Sequence, residues 1–133
     1  MAYGTVALDT LQSSTTGTPT VFKDGSGTEV GTLCRAWVNF NGTLTGTNAP
    51  RASFNVSSVT RNGTGDYTIN FTNALPDINY AATGNGGNAS GGGFDLYMPW
   101  QQTPTTTTYR VGVYNGTSTA ASDCLYTQVA FFR

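Results

Sequence analysis

The residues of this 133-residue chain that could do chemistry are few, and their types narrow what that chemistry is. Asp66, Asp77, Asp95 and Asp123 are the acids available for a glycosidase-type pair, one carboxyl protonating a leaving oxygen and the other attacking or activating water. Each stands beside a turn, where aspartate accepts backbone N–H groups, so no catalytic residue is assigned and the chain reads as a non-enzyme. There are 0 histidines, which removes Ser-His-Asp and Cys-His nucleophiles and the commonest zinc ligand. Cys34 and Cys124 belong to no CxxC pair. No cation is placed to stabilise a thiolate at either. Two free, buried thiols is the plain reading; a disulfide between them stays open. No metal and no cofactor is expected.

Recognition chemistry is better represented. Phe94, Tyr97 and Trp100 flank polar loops that hold Asn85, Asn88, Gln101 and Gln102. Aromatic faces beside carboxamides suit sugars, which offer C–H faces and hydroxyls. The alternative is that Phe94 and Trp100 are core. The run Gly84–Gly93 is not a phosphate loop, because no Lys-Ser/Thr and no helical pattern follow it. With 6 basic and 7 acidic residues, net −1, the chain lacks the basic face of a nucleic-acid groove and the basic cluster of an anionic-lipid site. Neither nucleic acid nor membrane insertion is expected. Asn-x-Ser/Thr triplets at Asn41, Asn55, Asn62, Asn70, Asn88 and Asn115 are what an Asn- and Thr-rich composition produces by itself. Without an N-terminal charged and apolar leader they imply no glycosylation.

The elements that must position these groups are strands. Charged residues are 10%, aromatics 12% and glycines 17 in number, a balance that favours strands and turns over disorder or helix. Period-2 alternation runs through 33–40, 53–60, 67–72, 94–98, 109–114 and 124–132. In the first, Cys34, Ala36, Val38 and Phe40 form a core face, leaving Trp37 beside Arg35 on the other. Asn62-Gly63 lies between alternating runs and marks a hairpin. Residues 84–93 and 99–108 read as loops. In the last strand Leu125, Val129 and Phe131 share one face and Cys124, Tyr126, Ala130 and Phe132 the other. Both faces are apolar, so the second needs cover from another chain. The expected fold is all-β, a compact antiparallel β-sandwich, jelly-roll-like, of about eight strands over 31–133. Residues 1–30 are an extended, core-poor N-terminal arm suited to attachment.

The stretches Cys34-Arg35-Ala36-Trp37-Val38-Asn39-Phe40-Asn41-Gly42-Thr43, Phe54–Thr60, Asn62–Thr72 with Leu75-Pro76-Asp77, and the end Val129-Ala130-Phe131-Phe132-Arg133 resemble the C-terminal domain of tail-fibre-like virion proteins of phages infecting cyanobacteria and other aquatic bacteria. The resemblance is specific over about 33–80. It implies a virion structural protein of tail-fibre or fibre-tip type, made in the host cytoplasm and forming a homotrimer. Trp37, Tyr126 and Phe132 are the candidate subunit interface. Residues 1–30 would dock on other virion proteins, and Asn85, Asn88, Tyr97, Trp100, Gln101 and Gln102 are the candidate receptor-binding residues, with a host-surface glycan as ligand. Two alternatives are a capsid decoration or head-fibre protein and a carbohydrate-binding module.

Overall fold

The computed structural model describes residues 10–12, 20–88, 93–97 (backbone), 102–116 and 120–133. Among these there are eleven strands and no helix: β1 (Val21–Lys23), β2 (Glu29–Thr32), β3 (Cys34–Phe40), β4 (Gly46–Asn48), β5 (Ala52–Phe54), β6 (Val56–Gly63), β7 (Asp66–Phe71), β8 (Ala81–Gly87), β9 (Gly93–Tyr97), β10 (Thr108–Asn115) and β11 (Tyr126–Phe132). All pairings are antiparallel. The count exceeds eight because β4 and β5 have three residues each and β2 four, too short to show a period. The run Thr5-Val6-Ala7-Leu8-Asp9-Thr10-Leu11, which reads as one short strand in the sequence, lies almost wholly outside the described residues.

The chain forms two compact units, Met1–Leu33 and Cys34–Arg133. In the first, β1 and β2 make a hairpin with Val21 opposite Thr32 and Phe22 opposite Gly31. Its turn is organised by Asp24, whose Oδ1 accepts from Ser26 N at 2.9 Å, Ser26 Oγ at 2.6 Å and Thr28 N at 2.9 Å. Val21, Phe22 and Val30 are exposed.

The second unit is one nine-stranded sheet in the order β4-β6-β7-β10-β9-β8-β11-β3-β5. It folds over so that β6, β7 and β10 face β3 and β11 as the two layers of a sandwich. Alternation puts Tyr67, Ile69 and Phe71 of β7 and Tyr109, Val111 and Val113 of β10 on the inner face of one layer, and a register shift between Val56 and Ser58 brings both Val56 and Val59 of β6 to the same face. Ala36, Val38 and Phe40 of β3 with Val129 and Phe131 of β11 fill the other. The layers meet through edge-to-face rings: Phe40 and Tyr67 at 5.1 Å between centroids, Phe71 and Phe131 at 5.0 Å, Tyr109 and Phe131 at 5.2 Å.

Three local readings change. The run 53–60 is not one strand. At Asn55 the backbone turns to φ 56°, and the chain leaves β5, paired with β3, for β6, paired with β7 at the far side of the sheet. Phe54 and Val56, which simple alternation puts on one face, therefore part: Phe54 is exposed and Val56 buried. Asn55 suits the corner because its short amide tolerates the left-handed region and bonds locally. Its Nδ2 donates to Arg35 O and Asn73 O, its Oδ1 accepts from Asn73 N at 2.8 Å, and its carbonyl accepts from Thr72 N.

Residues 84–87 are not loop but the second half of β8, paired to β11 from Phe132 opposite Ala81 to Tyr126 opposite Gly87. Glycine is required at 84, where a Cβ would run into the Gln128 carbonyl oxygen. The strands approach too closely there for a side chain. The third change concerns β11, which begins at Tyr126. Thr127, Val129 and Phe131 point inward, and Cys124, ahead of the strand, is fully buried rather than outward with Tyr126.

Cys34 and Cys124 are both free. Cys34 stands opposite Phe132, while the Cys124 carbonyl accepts from Gly42 N at 3.0 Å. Eight residues of β3 and its extension separate the two sites, roughly 25 Å at strand rise, against the 4.4–6.8 Å between Cα atoms that a disulfide needs.

Candidate binding face

Asp123 Oδ1 accepts from Tyr67 Oη at 2.7 Å, Gly65 N at 2.9 Å and Arg61 Nε at 3.0 Å, and its Oδ2 pairs with Arg61 Nη2 at 2.6 Å. Burial pushes this carboxyl up, but the bonds from Arg61, Gly65 and Tyr67 outweigh it and hold the group below the usual carboxylate range. Tyr67 is pushed up, chiefly by burial and then by its bond to Asp123, so it stays a phenol and a donor. Asp66 is gripped by the Arg110 fork and Asp77 by the Arg133 fork, with Asp77 also capping Asn79 N at 2.8 Å. Arginine partners of this kind tie loops to strands. They leave these three carboxylates in structural contacts, and the Asp95 side chain lies outside the described residues.

The outer face of β8, β11, β3 and β5 is different in kind. Register stacks its outward side chains in rows across the strands. Ala130 lies opposite Trp37 on one side and Thr83 on the other, and Trp37 opposite Phe54. Two residues along, Gln128 lies opposite Asn39 and Asn85, making a row of three carboxamides on adjacent strands. Between the rows is an open cleft of about 470 Å³ lined by Trp37, Asn39, Thr83, Asn85, Gln128 and Ala130. Ala130 is its low floor, since a methyl group stands there between an indole and a threonine. Trp37 is 40% and Phe54 54% exposed, which is unusual for large aromatics aligned on one face.

Asn39 carries the least expected feature. Its Oδ1 is buried and has no hydrogen-bond partner among the described residues. An unsatisfied buried acceptor costs about 1–3 kcal/mol, so the fold tolerates a loss at a position that lines the cleft. No lining residue of the cleft is charged.

The residues singled out from sequence fall as follows. Asn85 is outward on β8 and exposed, in the cleft. Asn88 is structural: its Oδ1 accepts from Leu125 N at 2.7 Å and secures the entry to β11. Gln102 is exposed beyond the cleft. Trp100 and Gln101, and the side chains of Phe94 and Tyr97, lie outside the described residues. Of the proposed interface residues, Trp37 lines the cleft with Asn85, Tyr126 carries the Arg51 guanidinium 4.7 Å above its ring, and Phe132 is at the opposite end of β11. In the sequence Trp37 and Asn85 stand in separate groups, and nothing local singles out Asn39, Thr83 or Gln128. The alternation of β3 already set Asn39 on the Trp37 face. What it could not give was the strand order that brings β8 beside β11.

No family model matches the chain, and no curated protein matches it in sequence. Among solved structures, the chain is similar to the phiAB6 tailspike in its complex with three-repeated oligosaccharides of Acinetobacter baumannii surface polysaccharide, at TM-score 0.50 and 16% identity, over 96% of this chain and 30% of that one. The fold is one that a phage tail protein uses. The chain therefore spans less than a third of the tailspike's length, and the likeness is one of fold. No helix among the described residues is long and apolar enough to cross a membrane.

Proposed function

We propose that the protein is a phage virion component of tail-fibre or tailspike type, a small β-sandwich that assembles as a homotrimer and contacts a host-surface glycan. The observation that carries the reading is the tailspike fold likeness over 96% of the chain. The sequence resemblance to tail-fibre-like proteins of aquatic phages points the same way from different evidence. Low charge and the Thr- and Gly-rich, all-β make-up suit a shell exposed outside a cell. Residues 1–30 are the segment proposed to dock on the rest of the virion, since the Val21, Phe22 and Val30 side chains of their hairpin region stand exposed. Phe132, 38% exposed at the end of β11, is the proposed centre of the subunit contact. Tyr126 is the weaker candidate because Arg51 already covers its ring.

The test is immunogold electron microscopy of purified virions with antibody to this chain, alongside light scattering of the isolated protein. Gold at the tail tip and a threefold mass support the reading. Gold over the capsid would replace it with the decoration role, and label absent from virions would refute both.

A further inference from the structure

We infer that the cleft on the outer face of β3, β11 and β8 is a binding site for a neutral glycan, with Trp37 as the stacking platform and the Asn39–Gln128–Asn85 row as its hydrogen-bonding edge. The inference rests on the glycan-contact reading above and gives it a place on the sheet face, which shares Asn85 alone with the receptor-binding candidates of the sequence.

Four observations converge. The cleft holds about 470 Å³, within the range of small-ligand sites. Its aromatic and amide rows are two residues apart along the strands, about 7 Å, close to the width of one pyranose ring. A sugar lying across Ala130 would set its C–H face against Trp37 and its hydroxyl edge toward the carboxamides. The Asn39 Oδ1 is buried and has no partner among the described residues; a small turn of this amide toward the cleft would let a sugar hydroxyl, donor and acceptor at once, satisfy it. Finally, the lining is uncharged. No lining arginine or lysine is there for a uronic or sialic acid carboxylate to recruit, Arg35 standing one outward position beyond Trp37 on β3, and the amide row argues against a purely apolar occupant such as a second copy of this sheet face.

The rows lie on regular, mutually paired strands, so the site is held ready rather than ordered on binding. Affinity per site is expected to be weak, and display of several copies would raise it.

The experiment follows the side-chain amide signals of Asn39, Asn85 and Gln128 by NMR in the full chain. The probes are maltohexaose, cellohexaose and mannohexaose, with trigalacturonate as the acidic control. At least one neutral probe should shift these three signals at millimolar concentration, and trigalacturonate should not. Trp37→Ala should weaken that binding about tenfold or more. Asn39→Ala should weaken it as well while leaving the urea midpoint unchanged or raised, because the orphaned acceptor is removed with its side chain. Both variants should keep the oligomeric state of the parent. The inference falls if no neutral probe moves the amides, if only the acidic one does, or if Trp37→Ala dissociates the oligomer, which would make the cleft a subunit interface. Loss of the virion assignment by immunogold would leave the sugar titration standing, so the two readings fail separately.

Discussion

Asn55→Ala tests the corner that closes the sandwich. Asn55 holds φ at 56°, where an ordinary L-residue costs about 1–2 kcal/mol. Its amide ties the start of β3 to the segment after β7: Nδ2 to Arg35 O at 3.3 Å and to Asn73 O at 3.1 Å, Oδ1 from Asn73 N at 2.8 Å and from Asn73 Nδ2 at 3.2 Å. The side chain is half-buried, so the lost bonds count at the low end, about 0.5–1 kcal/mol for each of the two best-formed. Alanine should therefore destabilise the protein by about 2–4 kcal/mol in urea unfolding followed by far-ultraviolet circular dichroism. Asn55→Gly removes the same bonds but relieves the φ penalty, and should recover about 1 kcal/mol of the loss. Strand propensity ranks glycine below alanine, so the order Asn, Gly, Ala is opposite to what an unbroken strand at 53–60 would give. If glycine proves as costly as alanine or worse, the left-handed corner is not what Asn55 supplies. If both changes cost under about 0.5 kcal/mol, the corner does not hold the layers together.

Phe131→Ala empties the point where Phe71, Tyr80 and Tyr109 meet at 5.0, 5.8 and 5.2 Å, and should cost about 3–5 kcal/mol, read as a lowered urea midpoint. Asp123 has its folded-state carboxyl held below the unfolded value, so its contribution is present above the ordinary carboxylate pKa and is lost as pH falls through the lowered folded one. Asp123→Asn should accordingly cost about 1.5–3 kcal/mol at neutral pH and flatten the acid limb of a stability-versus-pH curve, which parallel urea titrations from pH 7 down to pH 3 would reveal. Thiol titration without reductant should find both cysteines in urea, with Cys34 reacting far sooner than the buried Cys124 in the folded protein; a missing pair of thiols would mean they are joined.

Composition and alternation suffice to assign the class of the fold and the inward faces. Alternation over 33–40, 67–72 and 109–114 marked Ala36, Val38, Phe40, Tyr67, Ile69, Tyr109 and Val111 for the core, and those side chains are buried, because a pleated strand turns every second residue the same way. It failed where that period is interrupted or hidden. At Asn55 one positive φ resets the alternation, a conformation that residue names permit but do not announce. In 84–87 glycines mimic a loop, and only the close approach of β11 makes them a strand. The candidate site depends on strand order. Asn39, Gln128 and Asn85 come from three strands, far apart in the chain, and their amides share a row only because β8 pairs with β11 and β11 with β3. Pairing partners are chosen by the burial of the opposite faces, where Val38, Val129 and Phe131 meet the other layer. The outward row is a consequence of that choice, so no local pattern in the sequence records it.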